Sequence, residues 1–178
     1  MHITSTPLSG ACIVELDRLE DDRGFFARSF CRREFEAAGL NPQVAQCNVS
    51  RNKCSGTLRG MHYQVAPFEE AKLVRVTNGA VYDVIIDLRS DSTTFARWFG
   101  VELNESNHKA LYVPEGFAHG FLTLADDTEV FYQMSDYFSP EHSRGVRYND
   151  PAFGIIWPAP VKIISPKDAE YPDFERGR

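Results

Sequence analysis

Lys72-Leu-Val-Arg-Val-Thr-Asn78-Gly79-Ala-Val-Tyr-Asp-Val-Ile-Ile-Asp-Leu88 contains two short apolar runs, Lys72 to Val76 and Val81 to Leu88, parted by an Asn-Gly turn. Runs of the same kind recur on both sides: Ala11 to Leu16, Val44 to Val49, Thr57 to Gln64, Trp98 to Leu103, Ala110 to Val113, Gly120 to Leu124 and Glu129 to Met134. Turn residues follow at short intervals, with Pro114-Glu115-Gly116 and Asp126-Asp127 the clearest after Asn78-Gly79. Only Arg32 to Ala38, closed by Gly39, has a helical pattern. Many short strands without strand-helix alternation predict an all-β sandwich or jelly roll with few short helices.

From Ser139 onward the texture changes. Pro140, Pro151, Pro158, Pro160, Pro166 and Pro172 punctuate the remainder, which should wrap the barrel as irregular segments. Such a tail either only packs or delivers a polar residue to the barrel mouth, and Asp168 is then the candidate. No repeat or low-complexity linker divides the chain, so residues 1–178 are expected to fold as one unit.

The chain has 178 residues, 43% hydrophobic and 25% charged, with a formal net charge of -6. An acidic surface argues against nucleic acid, which needs a basic footprint across many phosphates. Small anions remain open, because a few Arg and Lys gathered in one cleft suffice. Cys12, Cys31, Cys47 and Cys54 show no Cys-x-x-Cys spacing and read as reduced thiols. With no signal-like N-terminus and no apolar run of membrane-spanning length, a cytoplasmic location away from membranes is expected.

Gln46, Asn48 and Ser50 alternate along one run and so share a face, which suits either a ligand cavity or solvent. Arg59 and His62 stand three apart, which in a regular strand places them on opposite faces, Arg59 outside and His62 a satisfied core histidine. They share a pocket only if the backbone bulges or twists sharply near Gly60. A metal would need more ligands than this region offers. His62-Tyr63-Gln64 lacks the second histidine of the His-x-His found in metal-binding cupins, and Glu115 with His119 is a weak pair, so no metal is expected.

Asp22-Arg-Gly-Phe-Phe26, Leu58-Arg-Gly-Met-His-Tyr-Gln64, Lys72-Leu-Val-Arg-Val76, Val113-Pro-Glu-Gly-Phe-Ala-His-Gly-Phe121, Asn149-Asp-Pro151 and Ile156-Trp-Pro158 occur in that order. This ordered series resembles the signature of the dTDP-4-dehydrorhamnose 3,5-epimerase family. The resemblance implies a cupin-like jelly roll, a homodimer, and cofactor-free epimerisation of a nucleotide-linked 4-keto-6-deoxyhexose at carbon 3, carbon 5 or both.

By the same resemblance His62 is the base, Asp168 its orienting carboxylate, Tyr132 the acid on the opposite face and Lys72 the stabiliser of the enolate. Arg59 and Lys167 fall to the diphosphate. Arg23 and Phe26 are donated by the partner subunit, Gln46 and Asn48 face the nucleotide, Tyr137 stacks on the base and His119 lines the sugar pocket. Two positions depart from the family pattern: Arg28 replaces a usual Glu, and Val49 a common His. If position 28 approaches the nucleobase, an arginine suits the ring acceptor of cytosine where a carboxylate suits the N–H of thymine, which makes a CDP-linked sugar an alternative to a dTDP-linked one.

Overall fold

In a computed structural model, residues 1–175 are described. Their elements, in chain order, are β1 (His2–Ser5), β2 (Cys12–Glu15), β3 (Arg18–Asp21), β4 (Gly24–Ala27), α1 (Arg32–Ala37), β5 (Gln46–Asn52), β6 (Thr57–Gln64), β7 (Lys72–Asn78), β8 (Ala80–Asp87), β9 (Trp98–Asn104), β10 (Ala110–Val113), β11 (Phe117–Thr123), β12 (Thr128–Met134), β13 (Ser143–Gly145), β14 (Ile163–Ile164) and α2 (Pro166–Ala169). One sheet has the order β1-β2-β10-β7-β12-β5 and the other β13-β6-β11-β8-β9, with β14 added beside β6. Apart from that parallel β14 contact, the pairings are antiparallel, and the two sheets form a cupin-like β-sandwich.

The Asn78-Gly79 turn does more than reverse the chain: it carries β7 in the first sheet across to β8 in the second. Gly79 has φ +78, and a Cβ there would lie 2.5 Å from the Thr128 hydroxyl oxygen, so glycine is required on both counts. β8 reads as an unbroken apolar run because both its faces are buried. Val81 and Ile85 enter the core between the sheets with Val74, Leu111 and Val130, while Val84 and Ile86 pack outward against Met61, Phe153 and Trp157. The outer face of the first sheet is covered by α1, whose Phe35 packs with Leu73 and Tyr112. Gly39, at φ +72, ends that helix as its pattern suggested, although the last helical residue is Ala37 rather than Ala38.

The expected strands are all present, with shifts at their ends: β11 begins at Phe117 instead of Gly120, and β5 at Gln46 instead of Val44. The C-terminal wrap is less irregular than its prolines suggest. β13 pairs with β6 over His62–Gln64 and β14 pairs with its other end at Thr57–Leu58, so the wrap covers an edge that the barrel would otherwise expose. β3 and β4 form a separate hairpin whose residues are mostly exposed, Leu19 and Phe26 among them. No helix among the described residues is long and apolar enough to cross a membrane.

Candidate active site

β6 brings Arg59 and His62 into one cavity by breaking register. Arg59 pairs with Phe121 and His62 with His119, so β6 advances three residues while β11 advances two. The extra residue is the bulge that the Arg-Gly-x-His spacing calls for. Gly60, at φ +139, sits against Gly120: a Cβ on Gly60 would lie 2.5 Å from the Gly120 Cα, and one on Gly120 would lie 2.7 Å from the Arg59 carbonyl oxygen. Only a pair of glycines lets the two backbones approach this closely.

The cavity has a volume of about 800 Å³ and opens between the two sheets. Arg59, His62 and His119 stand on the wall supplied by the second sheet, Ser50, Lys72 and Tyr132 on that supplied by the first. The wrap adds Asp168 and Lys167. Here the tail does deliver its polar residue. Ser165 caps α2 by accepting the Asp168 N–H at 3.1 Å, and Asp168 Oδ1 lies 2.7 Å from His62 Nε2. The Gly60 N–H donates to the other carboxylate oxygen at 3.4 Å. Burial by itself would raise the Asp168 carboxyl, but the hydrogen bond and charge of His62, helped by Gly60 and Ser165, hold it below the usual carboxylate range. Asp168 is therefore an anion beside the imidazole. With 40% of its side chain exposed, His62 is accessible from the cavity, whereas Asp168, at 7%, is shielded behind it.

Tyr132 lies on β12, partly buried against the central core. Burial raises its hydroxyl above the ordinary tyrosine value, Arg59 opposes that shift and Glu70 adds to it, so the phenol stays protonated near neutral pH. Lys72, at the start of β7, donates from Nζ to Glu70 Oε1 at 2.8 Å. Arg59 Nε donates to Asn52 Oδ1 at 2.8 Å, which fixes the guanidinium in the wall. His119 Nε2 lies 2.9 and 3.0 Å from the two oxygens of Asp83, while Glu115 accepts from Asn41 instead, so Glu115 and His119 do not converge. Among the described residues no three His, Cys, Asp or Glu side chains form a group able to hold a metal ion.

Arg59, His62, Lys72, His119, Tyr132, Lys167 and Asp168 thus meet in one place. The remaining expected residues do not line that cavity. Gln46 and Asn48 lie on the partly buried face of β5, joined by an amide hydrogen bond of 3.3 Å, and both amides reach Met134 Sδ. Gln46 Oε1 also accepts the Phe138 N–H at 2.9 Å, and it is Phe138 rather than Tyr137 that reaches the cavity wall. Arg23 and Phe26 belong to the exposed hairpin; Arg23 is paired with Asp21 of its own turn. Arg28 donates to Glu34 at 2.9 Å, and Glu34 also accepts from the N-terminal ammonium. Of the β5 face formed by Gln46, Asn48 and Ser50, only Ser50 lines the cavity, whereas Glu70 and Phe138 were missed in the sequence. The signal for Glu70 was its place two positions before Lys72, and for Phe138 its adjacency to Tyr137.

Residues 5–176 match the family model described as dTDP-4-dehydrorhamnose 3,5-epimerase. The dTDP-4-dehydrorhamnose 3,5-epimerase of Pseudomonas aeruginosa is 43% identical over 172 residues, covering 96% of this chain and 94% of the relative. Among solved structures, the Bacillus anthracis enzyme of that name, with TDP and PPi bound, is 42% identical with a TM-score of 0.93, over 97% of this chain and 99% of the other. A 3'-monoepimerase from Streptomyces bikiniensis, in complex with dTDP-quinovose, is 32% identical with a TM-score of 0.88, over 96% and 86%. Sequence, fold and the ordered motifs around the cavity agree, and the chain belongs to the dTDP-4-dehydrorhamnose 3,5-epimerase family of isomerases.

Proposed function

We propose that this isomerase epimerises a dTDP-linked 4-keto-6-deoxyhexose at carbons 3 and 5, with His62 as base and Tyr132 as acid. The observation that carries the reading is the placement of the two groups on opposite walls of one cavity, with Asp168 behind His62 at 2.7 Å. The ketone at carbon 4 acidifies the protons on carbons 3 and 5, because the electron pair released on deprotonation moves to the ketone oxygen as an enolate. His62 takes the proton and Asp168 stabilises the resulting imidazolium. Lys72 faces the developing oxyanion, and Tyr132 returns its hydroxyl proton from the other side, inverting the carbon. The tyrosinate and imidazolium then exchange with solvent. These steps use the chain's own residues and the substrate's ketone.

Arg59 and Lys167 supply positive charge for the diphosphate, and His119 lines the sugar end. A homodimer completes the site in this reading: the exposed β3–β4 hairpin places the partner subunit's Arg23 and the partner subunit's Phe26 over the nucleotide, near Gln46, Asn48, Tyr137 and Phe138. The exposed Leu19, Phe25 and Phe26 support such a contact. The TDP held by the Bacillus anthracis relative supports dTDP over CDP.

The test is to incubate the protein with dTDP- and, separately, CDP-linked 4-keto-6-deoxyglucose in heavy water and follow carbons 3 and 5 by NMR. Deuterium at both carbons of the dTDP sugar is expected. Exchange at one carbon gives instead the mono-epimerase reading, which the likeness to the 3'-monoepimerase favours and which uses the same base and acid. Exchange in neither sugar overturns both.

A further inference from the structure

Glu70 lies two positions before Lys72, the first residue of β7, and its carboxylate is one of the least accessible charges in the cavity wall. Its side chain is 3% exposed and that of Lys72 9%, so the pair is nearly stripped of water. One carboxylate oxygen accepts from Lys72 Nζ at 2.8 Å; the other is buried and has no hydrogen-bond partner. A buried charge with an unsatisfied oxygen is costly, and replacement of such pairs by apolar side chains is often neutral or stabilising. Stability therefore does not account for it. Its surroundings point to the reaction. Along β7, Lys72 and Val74 share a face, and Val74 is paired with Tyr132, so Glu70 and Lys72 adjoin the acid of the proposed mechanism.

We propose that Glu70 is a positioning residue for the epimerisation: through its ion pair it fixes the Lys72 ammonium in the cavity wall, aimed at the oxyanion that forms on the substrate ketone. This inference rests on the function proposed above. A lysine reaches its target on a flexible four-carbon stem, and an oxyanion donor is effective only if it is in place before the charge develops. A buried carboxylate on the neighbouring loop provides that placement, and its free oxygen leaves the pair adjustable when substrate enters. Its negative charge also raises the Tyr132 hydroxyl, which keeps the acid protonated.

Glu70→Gln keeps the shape and the acceptor but replaces a charge-assisted hydrogen bond by a neutral one, roughly half as strong. We expect kcat to fall by roughly threefold to tenfold with KM changed less than about twofold, the signature of an interaction used mainly in the transition state. The alkaline limb of the kcat/KM profile should move to lower pH, which a purely structural pair would not cause. Lys72→Gln and the double variant Glu70→Gln/Lys72→Gln complete a cycle that leaves no unpaired buried charge in the double variant. If Glu70 acts through Lys72, the double variant is no slower than Lys72→Gln alone. Parental kcat and pH profile in Glu70→Gln would overturn the inference, as would full additivity in the cycle. If Glu70→Gln does not fold, the comparison of the double variant with Lys72→Gln decides alone. Loss of exchange in the parent itself would remove the proposed function and this inference together, whereas an active parent with an unaffected Glu70→Gln removes only the inference.

Discussion

Two histidines line the same cavity on neighbouring strands and in direct register, each backed by an aspartate, and the two pairs differ in exposure and in how the carboxylate holds the ring. His62 is 40% exposed and faces Asp168 through one carboxylate oxygen; His119 is 10% exposed and is held by both oxygens of an Asp83 with no exposure at all. The chemistry of the two pairs is the same, but their freedom is not. A base must reach a carbon-bound proton, so it has to stay accessible while its partner is shielded. The His119 pair is packed from both sides and suits the shaping of a sugar pocket.

The largest effect should come from breaking the first pair. His62→Ala is expected to abolish deuterium exchange at the substrate carbons by NMR while the melting profile stays close to that of the parent; exchange at the parental rate would end its assignment as base. Asp168→Asn keeps the shape but removes the anion that stabilises the imidazolium, and kcat should fall by about 10²-fold or more. Breaking the second pair should reverse the balance. Asp83→Asn is expected to lower unfolding free energy in a urea titration by about 1–3 kcal/mol, because a buried partner is left unsatisfied, and to reduce kcat less than Asp168→Asn does. Equal kinetic losses in the two variants would erase the distinction between the pairs.

A third buried aspartate sharpens the comparison because no histidine faces it. Asp87 accepts from the Arg89 guanidinium at 2.9 and 2.8 Å, from Ser92 at 2.5 Å and from Thr94 at 2.6 Å. Burial pushes its carboxyl up, but these donors overcome it and bring it down from the ordinary 3.8 to about 2. A carboxyl depressed on folding stabilises the protein above its unfolded pKa, and that contribution disappears as pH falls through the folded value. Asp87 should thus contribute about 2 kcal/mol at neutral pH, lost between roughly pH 4 and 2. Urea midpoints measured over that range should fall less steeply in Asp87→Asn than in the parent.

The framework was legible in the sequence wherever burial left a pattern. β6 and β10 have the boundaries expected from their apolar runs, because both ends of each are set by local turn chemistry. The strands that were missed are short: β1, β3 and β13 are largely polar, β14 is a strand only because the edge of β6 accepts it, and β4 is a four-residue strand of a hairpin whose side chains stay mostly exposed, so burial leaves no pattern. The same division runs through the site. The bulge at Gly60 follows from the spacing of Arg59 and His62, since a period of two forbids a shared face without one. Asp168 was marked only as the polar residue that a wrapping tail could deliver, and its pairing with His62, like the role of Tyr132, came through the family resemblance. Tyr137 came through the family resemblance as well; the cavity wall itself is reached by Phe138, which carried no signal of its own because an irregular segment has no period to say which side chains turn inward.

His62 and Asp168 are separated by 106 positions in the chain. The carboxylate reaches the histidine only by way of β14, which ends at Ile164 beside β6 and leads directly into α2. A sandwich without α2 in place has all its strands but lacks the anion beside His62, so in the proposed mechanism competence depends on one short helix. Cleavage between β14 and α2 should have that result, leaving an intact sandwich without its anion.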